Sequence, residues 1–122
     1  MGVLMELKLE CSNVKLEKAK IPQIYLLNAN CNGISLTMDV HEELNIFENA
    51  ERITLQILSE KPTCTSNDFC GYGYIFSKKN LDDRIVVLIS IGGFIVRLEG
   101  KTNTLKDLPI MEKVYVKVTP IK

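Results

Sequence analysis

Apolar and polar residues alternate with a period of two along nearly the whole chain, and this constrains the fold more than any other feature. Val3, Met5, Leu7, Leu9 and Cys11 alternate with Glu6, Lys8, Glu10 and Ser12. Ile34, Leu36, Met38 and Val40 alternate with Ser35, Thr37 and Asp39, and Ile53, Leu55 and Ile57 with Arg52, Thr54 and Gln56. Phe94, Val96 and Leu98 oppose Arg97 and Glu99, while Val114, Val116 and Val118 oppose Lys113 and Lys117. Successive side chains of an extended strand point to opposite faces, so each run reads as a strand with one packed and one wet face. Antiparallel sheets have that property. No stretch is long and periodic enough for a substantial helix.

Turn residues separate the runs. Asn32-Gly33 lies between Tyr25–Cys31 and Ile34–Val40, a hairpin signal because both central residues of such a turn need positive φ. Asn80-Leu81-Asp82-Asp83 closes a hairpin between Tyr72–Ser77 and Arg84–Ser90. Ser59–Asp68, with Pro62, reads as a polar loop. Gly100–Glu112, with Pro109, is the longest link near the C-terminus and has room for a short helical turn, as has His41–Asn49. Between Ile85–Ser90 and Phe94–Glu99 stands Gly92-Gly93, which predicts a sharp bend or a tight backbone approach within the sheet. About eight short antiparallel strands result, and such sets avoid exposed edges by closing into a barrel. The expectation is one all-β domain over residues 1–122.

A chain of 122 residues can bury one proper core, and 46% hydrophobic with 25% charged residues is the balance of a soluble globular protein. Fifteen basic and fifteen acidic residues give zero net charge, which argues against a dedicated nucleic-acid binder, since phosphate neutralisation supplies most of such affinity. Glu6, Lys8 and Glu10 interrupt the first residues too early for a signal peptide. The longest uncharged run, Ile85–Val96, falls short of the roughly 20 residues of a membrane helix. A cytoplasmic location is expected, with no membrane partner.

Chemistry is scarce in the sequence. His41 is the only histidine, and no Gly-x-Ser-x-Gly surrounds a serine, so no catalytic triad is expected. Glu42-Glu43 and Asp82-Asp83 read as solvated charge, the second pair as a turn. Cys11, Cys31, Cys64 and Cys70 lack zinc-site spacing; buried free thiols are the first expectation, with a Cys11–Cys31 disulfide across neighbouring strands as the alternative. Such a bond inside a cell would suggest a hyperthermophile. Gly71-Tyr72-Gly73-Tyr74 lacks the lysine and following helix of a phosphate loop, and reads instead as a strand whose glycines leave room for a bend or a neighbouring side chain. Tyr72, Tyr74 and Phe76 share one strand face beside Lys78, Lys79 and Arg84. Aromatics and bases together make a single-strand stacking platform, but the expectation here is that the three rings face the core. Lys78, Lys79 and Arg84 remain weak candidates for nucleic-acid contact.

Several blocks, in order from about Tyr25 to Val118, resemble one family. Ser90-Ile91-Gly92-Gly93-Phe94-Ile95-Val96-Arg97-Leu98-Glu99-Gly100 is similar to the S-Y-G-G-L-L-M-R-L-Q-G block of the eighth common subunit of eukaryotic nuclear RNA polymerases. Asn103-Thr104-Leu105, leading to Lys113-Val114-Tyr115-Val116-Lys117-Val118, is similar to the segment that follows it. Asp68-Phe69-Cys70-Gly71-Tyr72-Gly73-Tyr74-Ile75, Cys31-Asn32-Gly33 and Leu44-Asn45-Ile46-Phe47 resemble blocks of the archaeal counterpart, the G-type or eighth subunit of archaeal RNA polymerase. The long acidic loop of the eukaryotic members is replaced by the short Ser59–Asp68, which points to the archaeal branch.

The resemblance implies a closed, OB-like antiparallel barrel. It also implies a non-catalytic subunit that docks on the largest subunit near the funnel and pore, with the catalytic metal elsewhere in the enzyme. No cofactor, metal or small-molecule substrate is expected for this chain. An exposed strand edge accepting an extended partner segment is the expected docking mode. Gly92, Gly93 and Phe94 are the candidate surface, with Arg97 as a charged anchor. The alternative is a free OB protein that binds single-stranded nucleic acid.

Overall fold

The computed structural model describes residues 6–106, 108, 110 and 112–121. The strands are β1 (Glu6–Lys18), β2 (Ile24–Cys31), β3 (Ile34–His41), β4 (Arg52–Leu58), β5 (Phe69–Leu81), β6 (Arg84–Ile91), β7 (Phe94–Lys101) and β8 (Lys113–Ile121). Helical structure among the described residues is limited to a 3-10 turn at Glu42–Leu44 and a single turn, α1 (Thr102–Leu105). Every strand pairing is antiparallel, in the order β1-β2-β3-β7-β6-β5-β8-β4, and β4 pairs back onto β1 to close the barrel. The closed antiparallel barrel expected from the alternation is therefore present.

The expected turns set the register. Asn32 and Gly33 have φ of 55° and 88°, and all eight residues of β2 pair with β3, from Ile24↔His41 to Cys31↔Ile34. Gly92-Gly93 proves to be the same device and not a bend within a strand. Its φ values are 57° and 93°, and Ile91↔Phe94 is the last pair before a two-residue turn. Space is not the reason for glycine at Gly93, because a Cβ there would meet nothing within 4 Å; the left-handed backbone is. Between β5 and β6 the turn is Asp82-Asp83, with Asp82 at φ 58°.

Two bulges reset which residues face inward. In β1 the register shifts between Ser12 and Lys15, with Asn13 at φ 55°. One extra residue turns Val14 and Leu16 inward where the odd positions had faced the core, and the strand runs on to Lys18, beyond the alternation expected to end near Cys11. In β5 the shift falls between Ile75 and Ser77, so Phe76 is the added residue.

Buried aliphatic side chains fill the interior, among them Leu27, Leu55, Ile57, Ile89 and Leu98. Each end of the barrel is crossed by a connection that supplies a plug. At one end the β3–β4 link brings in Phe47, 1% exposed, whose ring lies 6.3 Å from that of Phe69. At the other the β7–β8 link brings in Leu105 and Leu108, 0% and 3% exposed. The β4–β5 loop, polar as expected, is held against β8. Lys117 donates to the Thr63 carbonyl at 2.7 Å, and the Thr119 hydroxyl donates to Asp68 at 2.6 Å.

The cysteines are not free thiols. Cys11 and Cys31 form a disulfide, and so do Cys64 and Cys70. Ser12↔Asn30 is a facing pair, so Cys11 and Cys31 face each other on the next rung, with Cα atoms 4.0 Å apart. This is the cross-strand bond expected as the alternative to free thiols, whereas the Cys64–Cys70 bond is not expected from the sequence. By loop closure the Cys11–Cys31 bond is worth about 3 kcal/mol. Cys64–Cys70 ties the β4–β5 loop to the start of β5.

Candidate functional site

Near the β6–β7 turn the barrel wall is incomplete. The β3–β7 ladder runs only from Ser35↔Glu99 to Met38↔Val96. Beyond it the Asp39 carboxylate accepts from the Ile95 amide at 3.0 Å, occupying the place of the next ladder bond. Across the gap, Phe69 to Gly73 of β5 pair with β8 alone, since the β5–β6 ladder begins at Tyr74↔Ser90. A groove of about 350 Å³ lies between these segments, lined by His41, Phe69, Tyr72, Ile91, Gly92 and Phe94 among others.

Local chemistry explains the shape. His41 Nδ1 accepts from the Glu43 amide at 3.1 Å, so the histidine starts the Glu42–Leu44 turn and its ring packs edge-on to Phe94 at 6.4 Å. That use of Nδ1 fits a capping role, not a general base. On the inner face of β5, a Cβ at Gly73 would lie 1.8 Å from the Ser90 carbonyl oxygen. Only glycine permits the backbones of β5 and β6 to cross so closely, while the room expected for a neighbouring side chain is found at Gly71, where a Cβ would lie 2.6 Å from Ile91 Cγ2.

The residues singled out in sequence are not gathered into one place. Gly92 and Phe94 line the groove, and Gly93 completes the turn between them. Arg97 lies about 10 Å along β7 from Phe94, on the outer face, where its guanidinium holds Glu99 at 2.6 Å. Arg84 meets the other oxygen of Glu99 at 3.3 Å. The bond from Arg97, with the nearby charges of both arginines, holds the Glu99 carboxyl below the usual glutamate range. A partner anchor and a nucleic-acid candidate thus share one acid.

Lys78 and Lys79 lie on opposite faces of β5, and the bulge at Phe76 is what turns Lys78 inward. Lys78 faces Val87, an inward position, and donates to the carbonyls of Lys106 and Leu108, the second at 3.1 Å. It fastens the plug, whereas Lys79 stays exposed. Among the described residues no group of three potential metal ligands comes together.

The aromatic stripe departs from expectation. Tyr72, Tyr74 and Phe76 do not face the core; they are 46%, 44% and 40% exposed. The inward positions of β5 belong to Gly73 and Ile75, and alternation puts Tyr72, Tyr74 and Phe76, itself the added residue at the bulge, on the outer side. Sequence offers two apolar sets on this strand, and the closeness of β5 to β6 decides between them: no ring fits where Gly73 meets Ser90. Tyr115 of β8 stands opposite Tyr72 with ring centres 5.2 Å apart, and the Lys113 ammonium lies 5.8 Å from the Tyr72 ring centre. A hydrogen bond with Tyr72 raises the Lys113 pKa above the ordinary lysine value. Asp39 and His41 at the groove give no signal of it in sequence, whereas Phe69 lies in the Asp68–Ile75 block and Ile91 in the Ser90–Gly100 block.

Known proteins resemble this chain along most of its length. "DNA-directed RNA polymerase subunit Rpo8" of Saccharolobus solfataricus is 30% identical over 122 residues, covering 93% of this chain and 92% of that protein. The protein of the same name from Sulfolobus acidocaldarius is 31% identical, covering 86% of this chain and 90% of its own. Among solved structures, the molybdate-binding protein ModG covers 93% of this chain and is itself covered to 89%, but at a TM-score of 0.34 and 10% identity it bears on nothing here. No described helix is long and apolar enough to cross a membrane. The profile of the RpbG family, the G-type subunit of DNA-directed RNA polymerase, matches residues 6–121, and the chain belongs to that family.

Proposed function

We propose that this chain is a non-catalytic structural subunit of an archaeal DNA-dependent RNA polymerase in the cytoplasm, docking on the largest subunit and supporting assembly and transcription. Family membership supports the enzyme, and the interrupted wall beside the β6–β7 turn supports the place. A closed barrel otherwise satisfies its own backbone, so a partner finds main-chain hydrogen bonds only where pairing stops. Asp39–His41 lack β7 partners in the ladder and Phe69–Gly73 pair on one side, with the apolar groove between them. An extended segment of the largest subunit entering there would gain backbone pairing together with a pocket for one apolar side chain. Gly92, Gly93 and Phe94 border that path. Arg97, already engaged with Glu99, acts at the side of it.

Co-expression with the largest subunit of the matching polymerase, followed by size-exclusion chromatography at moderate salt, tests this reading. One-to-one co-elution is expected, weakened by Phe94→Ala and by Arg97→Glu with the barrel still folded. Elution of a folded, monomeric barrel apart from the largest subunit would overturn it.

A further inference from the structure

The outer face of β5 and β8 bears four aromatic rings that the barrel does not need for its core. Tyr72, Tyr74 and Phe76 stand in a row along β5 and Tyr115 beside them on β8. Monomeric surfaces seldom gather large exposed apolar groups, and Tyr is enriched at the centre of protein contacts. The neighbouring outward positions of β6, Val86 and Leu88, are aliphatic and partly exposed.

Charge indicates what could cover this face. The outward charged residues of β5 and β8 are all lysines: Lys79, Lys113 and Lys117. Lys117 is engaged with Thr63 and Asp68. Lys113 lies over Tyr72, and no described carboxylate forms an ion pair with it. A second copy of this chain would set one lysine-bearing face against another, with no carboxylate among the outward residues of β5 and β8 to meet them. Phosphates would find two lysines outside the described ion pairs here, Lys79 and Lys113, on a molecule of zero net charge, far short of the basic excess of a nucleic-acid binder. The rings are also not a platform for bases: Tyr74 and Tyr115 are tilted by 59° and 48° from Tyr72. Tilted rings leave notches, which suit aliphatic side chains better than flat bases.

We propose that the Tyr72–Tyr74–Phe76–Tyr115 face with Lys113 is a second docking surface, taking an acidic polypeptide segment whose carboxylate meets Lys113 and whose aliphatic side chains seat between the rings. The inference rests on the polymerase reading, so the segment belongs to another subunit of that enzyme. It is a surface distinct from the groove, although Tyr72 borders both.

The test uses polymerase assembled with and without this chain. Carbodiimide joins an amine to a carboxylate only where they touch, and the expected product links Lys113 to an Asp or Glu of another subunit. The variant Tyr72→Ala/Tyr74→Ala/Phe76→Ser should bind the depleted enzyme at least about tenfold more weakly, as expected for loss of buried aromatic anchors. Lys113→Glu should weaken binding, and Lys113→Arg should keep it. If the triple variant does not fold, by its melting curve, the two Lys113 variants decide alone.

Wild-type retention by the triple variant and by Lys113→Glu would overturn the proposal while leaving the polymerase reading intact. Failure of the wild-type chain to join the enzyme would overturn both. Binding of a labelled (dT)20 oligonucleotide by the free chain, lost in the triple variant, would assign the face to nucleic acid instead. Reversible dimerisation lost in that variant would assign it to a second copy.

Discussion

The two ends of the barrel are closed in different ways. At the α1 end, Leu105 and Leu108 are fully inserted, and Lys78 donates to the carbonyls of both Lys106 and Leu108. At the β6–β7 end, Phe47 plugs the core with equal completeness, yet the wall beside it stops short and leaves a groove. Both ends exclude water from the core. Both leave strand segments paired on one side, Glu6–Glu10 and Ser77–Leu81 at the α1 end and Asp39–His41 and Phe69–Gly73 at the other, but the groove proposed for docking lies only beside the β6–β7 turn.

Substitutions at the α1 end should therefore cost stability and leave assembly intact. Leu105→Ala removes a fully buried side chain and should destabilise by about 3 kcal/mol, a fall in melting temperature on the order of 10 °C. Co-elution with the largest subunit at low temperature should persist; its loss in a folded variant would erase the division between the ends. Gly93→Val comes next and tests the other end. A β-branched residue at φ 93° is strained by about 2 kcal/mol, so the melting point should fall before any contact is lost. Gly93→Asn, which tolerates positive φ, should recover most of that. An unchanged melting temperature in Gly93→Val would show that the turn is not under this constraint. Lys78→Met, which removes the donor to both plug carbonyls, should cost about 1 kcal/mol, and denaturant unfolding would measure it.

Sequence carries the plan of the barrel but not its seams. Alternation in Ile34–Val40 or Ile53–Ile57 is enough to define a strand, and Asn32-Gly33 is enough to define a turn, because both rules are local. What neighbouring strands decide is not legible in the same way. The side on which Tyr72 and Tyr74 emerge depends on how closely Gly73 approaches Ser90, a relation between strands. Bulges at Asn13-Val14 and Phe76 exchange inward for outward positions, and neither disturbs the composition of its strand. The switch from odd apolar positions up to Cys11 to even ones at Val14 and Leu16 is legible and marks the first bulge. Lys78 offers nothing comparable, since a lysine fastening a plug reads like any other surface lysine. Gly92-Gly93 stands out as special, but a hairpin turn and a bend within a strand demand the same residues. The groove depends on where the β3–β7 ladder stops, which no residue type encodes.

The smallest expected effect concerns pH and separates two outer carboxylates. Asp68 fastens the β4–β5 loop: it accepts from the Thr119 hydroxyl, from the Thr65 amide and hydroxyl, and lies 3.8 Å from Lys117. The Thr119 bond, followed by that of the Thr65 backbone, holds its carboxyl below the usual aspartate range. Glu99 is lowered in the same direction by Arg97 and Arg84. In both cases the unfolded chain takes up a proton more readily than the folded one, so stability rises with pH across the interval. The contribution is complete above the unfolded carboxylate pKa and is lost as pH falls through the lower folded one. The Asp68 side chain is 7% exposed against 26% for Glu99, so solvent screens it less. Asp68→Asn should therefore flatten the melting temperature against pH between neutrality and acid more than Glu99→Gln does, both effects being small. Added salt should diminish the Glu99 effect first. A larger flattening from Glu99→Gln would mean that the arginine pair on β6 and β7, and not the fastened loop, carries the acid sensitivity of the barrel wall.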